Sequence, residues 1–100
     1  MPAKVDLGML NPDAFDACRH QAFAAQTQHG EVAMTLAEVS RLGHGYRDGD
    51  AFSLLFIAPS GPFLPQAIYP MSHPTLGALE IFLVPLGPRD GGNAYEAVFT

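Results

Sequence analysis

Leu79-Glu80-Ile81-Phe82-Leu83-Val84 sets Leu79, Ile81 and Leu83 at every second position and places Glu80, Phe82 and Val84 between them. An extended chain sends successive side chains to opposite faces, so a period of two predicts a strand with one buried face. Phe82 and Val84 leave the second face largely apolar as well, which asks for a second covering. The strand is expected to run from Leu76 to Val84 and to be the longest of the chain.

Working outward, Pro88-Arg89-Asp90-Gly91-Gly92-Asn93 has the turn residues of a hairpin loop, and Tyr95 to Phe99 returns as a closing strand. On the other side, Ile68 to Met71 predicts a short strand that Pro70 confines to an edge or a bulge, because proline lacks the ladder N–H. Pro59-Ser60-Gly61-Pro62 makes a tight turn, and Pro65 keeps Phe63 to Gln66 extended. Phe52 to Ile57 is a strand apolar on both faces. Before it, residues 43–50 carry three glycines and read as a flexible connection.

Val32, Met34 and Leu36 alternate with Ala33, Thr35 and Ala37, after which Glu38 falls in phase with the apolar set. A β-bulge near Ala37-Glu38 would restore Val39 to the interior. Phe23 to Gln28 is a weak strand ending in a turn at His29-Gly30. Asn11-Pro12-Asp13 starts a helix, with an Asn cap, Pro at the first helical position and an acid at the positive end. That helix extends about two turns through Phe15 and Cys18, to roughly Arg19.

Six short strands with turns between them, and no interval long enough for a helical crossover, predict a mainly β fold. The expected architecture is an antiparallel small barrel or sandwich with a short N-terminal helix. One domain spans 1–100, with an N-terminal arm and helix over about 1–19 and the β domain over about 20–100. Two strands apolar on both faces need two coverings, the interior and either the helix or a neighbouring subunit.

Charged residues make up only 15% of the chain, against about 25% in a typical soluble domain, while apolar residues reach an ordinary 48%. A small domain with few charges carries much neutral or apolar surface, which suits a protein partner or a homo-oligomer. Five Lys and Arg against ten Asp and Glu, with the basic residues dispersed, argue against nucleic acid and against anionic membrane. A lone cysteine excludes an internal disulfide and a multi-thiolate metal site. Residues 1–10 have no continuous apolar run, so no secretory signal is expected, and no stretch is long enough to span a bilayer. The expected location is cytoplasmic, with no cofactor.

The strings Phe52-Ser53-Leu54-Leu55-Phe56, Leu64-Pro65-Gln66 with Ile68-Tyr69, and His73-Pro74 with Leu76-Gly77 occur in order along the second half. Leu79-Glu80, Phe82-Leu83-Val84-Pro85 with Gly87, and Tyr95-Glu96-Ala97-Val98-Phe99 continue the series. Over roughly residues 32 to 99 the chain resembles the domain of unknown function 6916 family of small bacterial proteins. The first 30 residues match loosely: Phe15 and Phe23 fit, but Ala22 and Ala24-Ala25 stand where the family tends to a Gly-containing, more charged strand. The resemblance implies no catalytic or cofactor residues. It does imply a setting near phage-tail-like or collar-domain proteins, and hence an assembly component.

The histidines His20, His29, His44 and His73 are too far apart for a zinc half-site, and three of them fall in turns. His73 precedes Pro74 at a strand end, where its Nδ1 can accept a backbone N–H and lock the corner. Cys18 or Ser53 with His73 and Glu80 would supply the residue types of a nucleophile site, but there is no nucleophile elbow. Cys18 on the apolar side of a short helix reads as a small core residue. Asp48 with Asp50, and Asp90 with Asn93 and Glu96, lack the spacing of a calcium loop. Glu80 and Glu96 are expected to be solvated on a sheet face.

These residues point to a non-enzymatic structural or protein-interaction module, with Tyr46, Phe63 and Tyr69 as contact residues because aromatic side chains make good interface anchors. The alternative is a small-molecule-binding or hydrolytic domain with a barrel-mouth pocket formed by Ser72, His73 and Glu80.

Overall fold

The computed structural model describes residues 12–43, 51–61, 63–89 and 91–99. A short helix, α1 (Pro12–Asp16), precedes six strands: β1 (Ala22–Thr27), β2 (Gly30–Gly43), β3 (Ala51–Pro59), β4 (Ala67–His73), β5 (Gly77–Arg89) and β6 (Gly92–Phe99). All neighbours are antiparallel, and the sheet closes into a barrel in the order β1-β2-β3-β6-β5-β4. The longest strand is β2, with 14 residues, one more than β5. The sequence under-read β2 because its alternation breaks in the middle.

That break is a bulge. Leu36 pairs with Phe56 and Glu38 with Leu55, leaving Ala37 as the extra residue. The insertion turns Glu38 outward and Val39 back toward the core, as the phase slip requires. A second irregularity, between Pro85 and Gly87, occurs where β5 runs on beyond the expected loop at Pro88. The β5–β6 connection is therefore only 90–91, with the strands pairing up to Arg89 and Gly92. At the β1–β2 hairpin Gly30 has φ 91°, a left-handed value that glycine adopts without a Cβ clash.

The core follows the period of two. Phe23 and Ala25, Val32, Met34 and Leu36, Phe52, Leu54, Phe56 and Ala58, Leu79, Ile81 and Leu83, and Tyr95 and Ala97 all face inward and are buried. At one end of the barrel Phe15 of α1 packs on Phe52 and Phe99, each with ring centroids 5.8 Å away, and Phe52 stacks on Phe99 at 4.7 Å. At the other end the β3–β4 connection turns Leu64 into the core, and its backbone N–H donates to the Tyr95 hydroxyl at 3.0 Å. Among the described residues the interior is thus lined with apolar side chains, with Phe15 and Leu64 packed toward its two ends.

Two expectations are corrected. The helix, expected to run about two turns through Cys18 to roughly Arg19, ends at Asp16, because residues 17–20 form a turn that leads into β1. It packs at an end of the barrel through Phe15, and Leu55 on the outer face of β3 is buried in register between Glu38 and Glu96. β4 is not a free edge either, since it pairs with β5 along its length and with β1 at Ala24↔Ser72 and Ala25↔Met71. The seam with β1 nevertheless stops before Pro70, which has no N–H to extend it. Among the described residues no helix is long and apolar enough to cross a membrane.

Candidate functional site

The most interconnected polar cluster surrounds His73, at the end of β4 beside the turn 74–76. His73 is only 5% exposed, and its inward phase brings the ring against Phe23, with centroids 4.6 Å apart. Nδ1 accepts backbone N–H groups from Thr75 at 3.0 Å and Leu76 at 3.3 Å. A nitrogen accepting two donors carries no proton, so the neutral ring holds its hydrogen on Nε2. Nε2 donates to Gln21 Oε1 at 2.7 Å. The expected lock of the strand corner is present, and it extends to a residue of the α1–β1 connection.

Burial lowers the pKa of His73 and raises that of Cys18, so both groups favour their neutral forms. Cys18 Sγ lies 3.9 Å from Nδ1, but that lone pair is already engaged by Thr75 and Leu76. A thiol held neutral beside an occupied nitrogen has no base to activate it. These bonds tie the β4–β5 turn to the α1–β1 connection.

Beside His73 the outer surface forms a shallow depression of about 490 Å³ over β1, lined by Ala22, Ala24, Ala33, Glu31, Ser72 and Pro74 together with Phe23 and His73. Ser72 and His73 do meet here, as expected, but Glu80 stands opposite Pro70 on the outer face and does not line the depression. The hollow lies over the outward-phase residues Ala22, Ala24, Glu31, Ala33 and Ser72. Ser53 pairs with Ser40 and Val98 on the outer phase of β3, away from His73. No group of three or more metal-ligating side chains occurs among the described residues.

The other notable surface is apolar. Ile68 of β4 stands opposite Phe82 of β5, and both point outward, at 63% and 47% exposure. Val98 of β6, 50% exposed, is also on the outer phase, opposite Ser53 of β3 and two residues beyond the last β5–β6 pair, Val84↔Glu96. Glu80, also on the outer phase, is exposed, and Glu96 is half-buried.

Of the aromatic contacts expected from sequence, Phe63 is exposed in the β3–β4 connection, whereas Tyr69 is 7% exposed and faces the core. Alternation decides this: Tyr69 shares the inward phase of Met71 and His73, and its hydroxyl donates to the Pro65 carbonyl at 2.5 Å. The outward positions of β4 are Ile68 and Pro70. Tyr46, His44, Asp48, Asp50 and Asp90 lie outside the described residues, as does the Asn11 cap. Ile68, Phe82 and Val98 were not singled out from sequence, although the apolar second face of β5 was the signal that led to one of them.

The sequence profile of a family described as a domain of unknown function, DUF6916, matches residues 10–99. The match takes in α1 and β1, where the resemblance was loose. No curated protein and no solved structure matches the chain.

Proposed function

The chain belongs to the DUF6916 family, and from its geometry we propose that it is a non-enzymatic structural or protein-interaction module that docks through the outer face of β4, β5 and β6. The observation that carries this reading is the exposed cross-strand pair of Ile68 and Phe82, with exposed Val98 on the outer phase of β6, on a barrel whose inward apolar residues are already buried in one core. Removing apolar surface from water contributes about 25 cal/mol per Å², and adjacent side chains gain this in a single contact. The low charge content supports the same reading. So does the His73 cluster, whose two ring nitrogens are engaged in bonds to the β4–β5 turn and to Gln21.

The occupant proposed first is a second copy of the chain, in a cytoplasmic protein. An assembly role near phage-tail-like proteins is the version of this that the family resemblance favours. The test is the absolute mass in solution, by light scattering over a wide concentration range, for the wild type and Phe82→Lys. A mass that rises above the monomer in the wild type and reverts in Phe82→Lys supports self-docking through this face. An oligomer unaffected by Phe82→Lys places the contact elsewhere and overturns it. A monomer at every concentration overturns self-docking and directs the search to a different protein.

A further inference from the structure

Residues 12–21 cross one end of the barrel as a strap held at four points. Phe15 packs on Phe52 and Phe99; Asp13 pairs with Arg41; the His20 N–H donates to the Leu36 carbonyl at 2.6 Å while the Leu36 N–H donates to the Gln21 carbonyl at 3.1 Å; and the Gln21 side chain meets His73. His20 reaches its position with φ 71°, a left-handed backbone uncommon outside glycine, which swings Gln21 into line with β1. The last of the four points differs from the others because the ring it meets also accepts, through Nδ1, the backbone N–H groups of the β4–β5 turn.

We propose that His73 is a proton-sensitive latch joining the strap to the β4–β5 turn, and that its protonation opens this corner of the barrel. A proton on Nδ1 would point at the Thr75 and Leu76 N–H groups, so the ring would lose both bonds and leave two amides without an acceptor. The imidazolium would also sit 5% exposed beside the ring of Phe23, where a charge is poorly solvated. The Nε2–H donates to Gln21 in either protonation state, so the bonds lost are those that hold the β4–β5 turn, and the corner opens from Thr75 and Leu76.

The charged and titratable groups around the latch are few. The strap contributes the Cys18 thiol, the exposed Asp16–Arg19 pair and His20. β2 contributes Glu31, across the outer depression. The nearest acid of β5, Glu80, is on the outer phase. None of the hydrogen-bond partners of His73 among the described residues is acidic, so nothing there compensates an imidazolium. The burial that lowers the pKa of His73 acts in the same direction.

The experiment is amide hydrogen exchange by NMR between pH 7.5 and 5, with rates expressed as protection relative to the unstructured chain. The reporters are Thr75 and Leu76, whose amides donate to Nδ1, against paired amides of β5 and β6. Expected is lower protection at the reporters than at the strands throughout. That protection should fall as pH drops, by at most about tenfold per pH unit for a one-proton latch. His73→Asn places an amide oxygen near the Nδ1 position without a titrating group, and should remove the fall. Should that variant not fold, a titration of the His73 ring in the wild type replaces it. The ring midpoint must then lie below 6.5 and coincide with the shift changes of Thr75 and Leu76. Reporter protection equal to that of the strands at every pH overturns the proposal, since the corner would then open only with the whole barrel. The same fall in His73→Asn, no fall, or a midpoint at or above 6.5 overturns it equally.

Discussion

Ile81 and Phe82 are consecutive residues of β5, yet Ile81 is fully buried against the barrel core and Phe82 projects 47% exposed opposite Ile68. The pleat alone separates them. Ile81→Ala removes a branched side chain from a packed interior that relaxes only partly, and should cost about 2–5 kcal/mol. Phe82→Thr keeps a residue suited to a strand and removes only outward-facing surface, so it should change monomer stability by no more than about 0.5 kcal/mol. Urea unfolding at a fixed, low protein concentration measures both. Comparable losses for the two variants would contradict the assigned faces.

The Tyr95 hydroxyl is the acceptor for the buried Leu64 N–H. Tyr95→Phe fills almost the same volume but leaves that donor without its partner at the closed end of the barrel. An unsatisfied buried donor costs about 1–3 kcal/mol, whereas loss of an exposed hydrogen bond would be nearly silent. The expected outcome is a lower urea midpoint with an unchanged m-value, and faster exchange at the Leu64 amide. An unchanged midpoint would mean that water reaches the Leu64 amide.

Gly92 opens β6 opposite Pro59, and a Cβ added there would overlap the Ala58 carbonyl oxygen. That neighbour is backbone in a paired strand and cannot rotate away. Gly92→Ala should therefore destabilise the barrel by about 1–3 kcal/mol through forced backbone movement. Gly61, where a Cβ meets nothing within 4 Å and φ is not left-handed, is the control. Thermal unfolding of the two variants separates a steric requirement from a general cost of losing glycine.

Much of this fold is legible in the sequence because strands announce themselves by alternation, and alternation survives in the short core strands. Glu38 is the clearest instance: a charge in the wrong phase reports the bulge at Ala37 without any knowledge of the partner strand. Pro70 likewise marks where the β1–β4 seam ends. The path of the strap is not legible, because Phe15 and Cys18 at helical spacing identify an apolar side without saying whether it lies over a sheet or across a barrel end. Tyr69 was misplaced for a related reason: aromatic character says that a residue has surface to bury, but only the phase of its strand says where. The corner role of His73 could be anticipated from the following proline and turn, whereas its bond to Gln21, 52 residues away in sequence, depends on barrel closure.

Global stability should carry the signature of the same histidine. In the folded chain its pKa lies below the ordinary value of 6.5 because burial disfavours the imidazolium. The unfolded chain therefore binds a proton more readily than the folded one. The contribution of His73 to stability is then complete above about pH 6.5 and is lost as pH falls from there through the folded-state pKa. The slope cannot exceed about 1.4 kcal/mol per pH unit for a single proton. Urea midpoints measured from pH 7.5 to 5 should decline across that window in the wild type, and much less in His73→Asn. Every other titrating group is common to the two proteins, so the difference between the two curves isolates the histidine. A difference that grows with rising pH above 6.5 would mean that the folded state favours the charged ring, contrary to a lone pair occupied by Thr75 and Leu76.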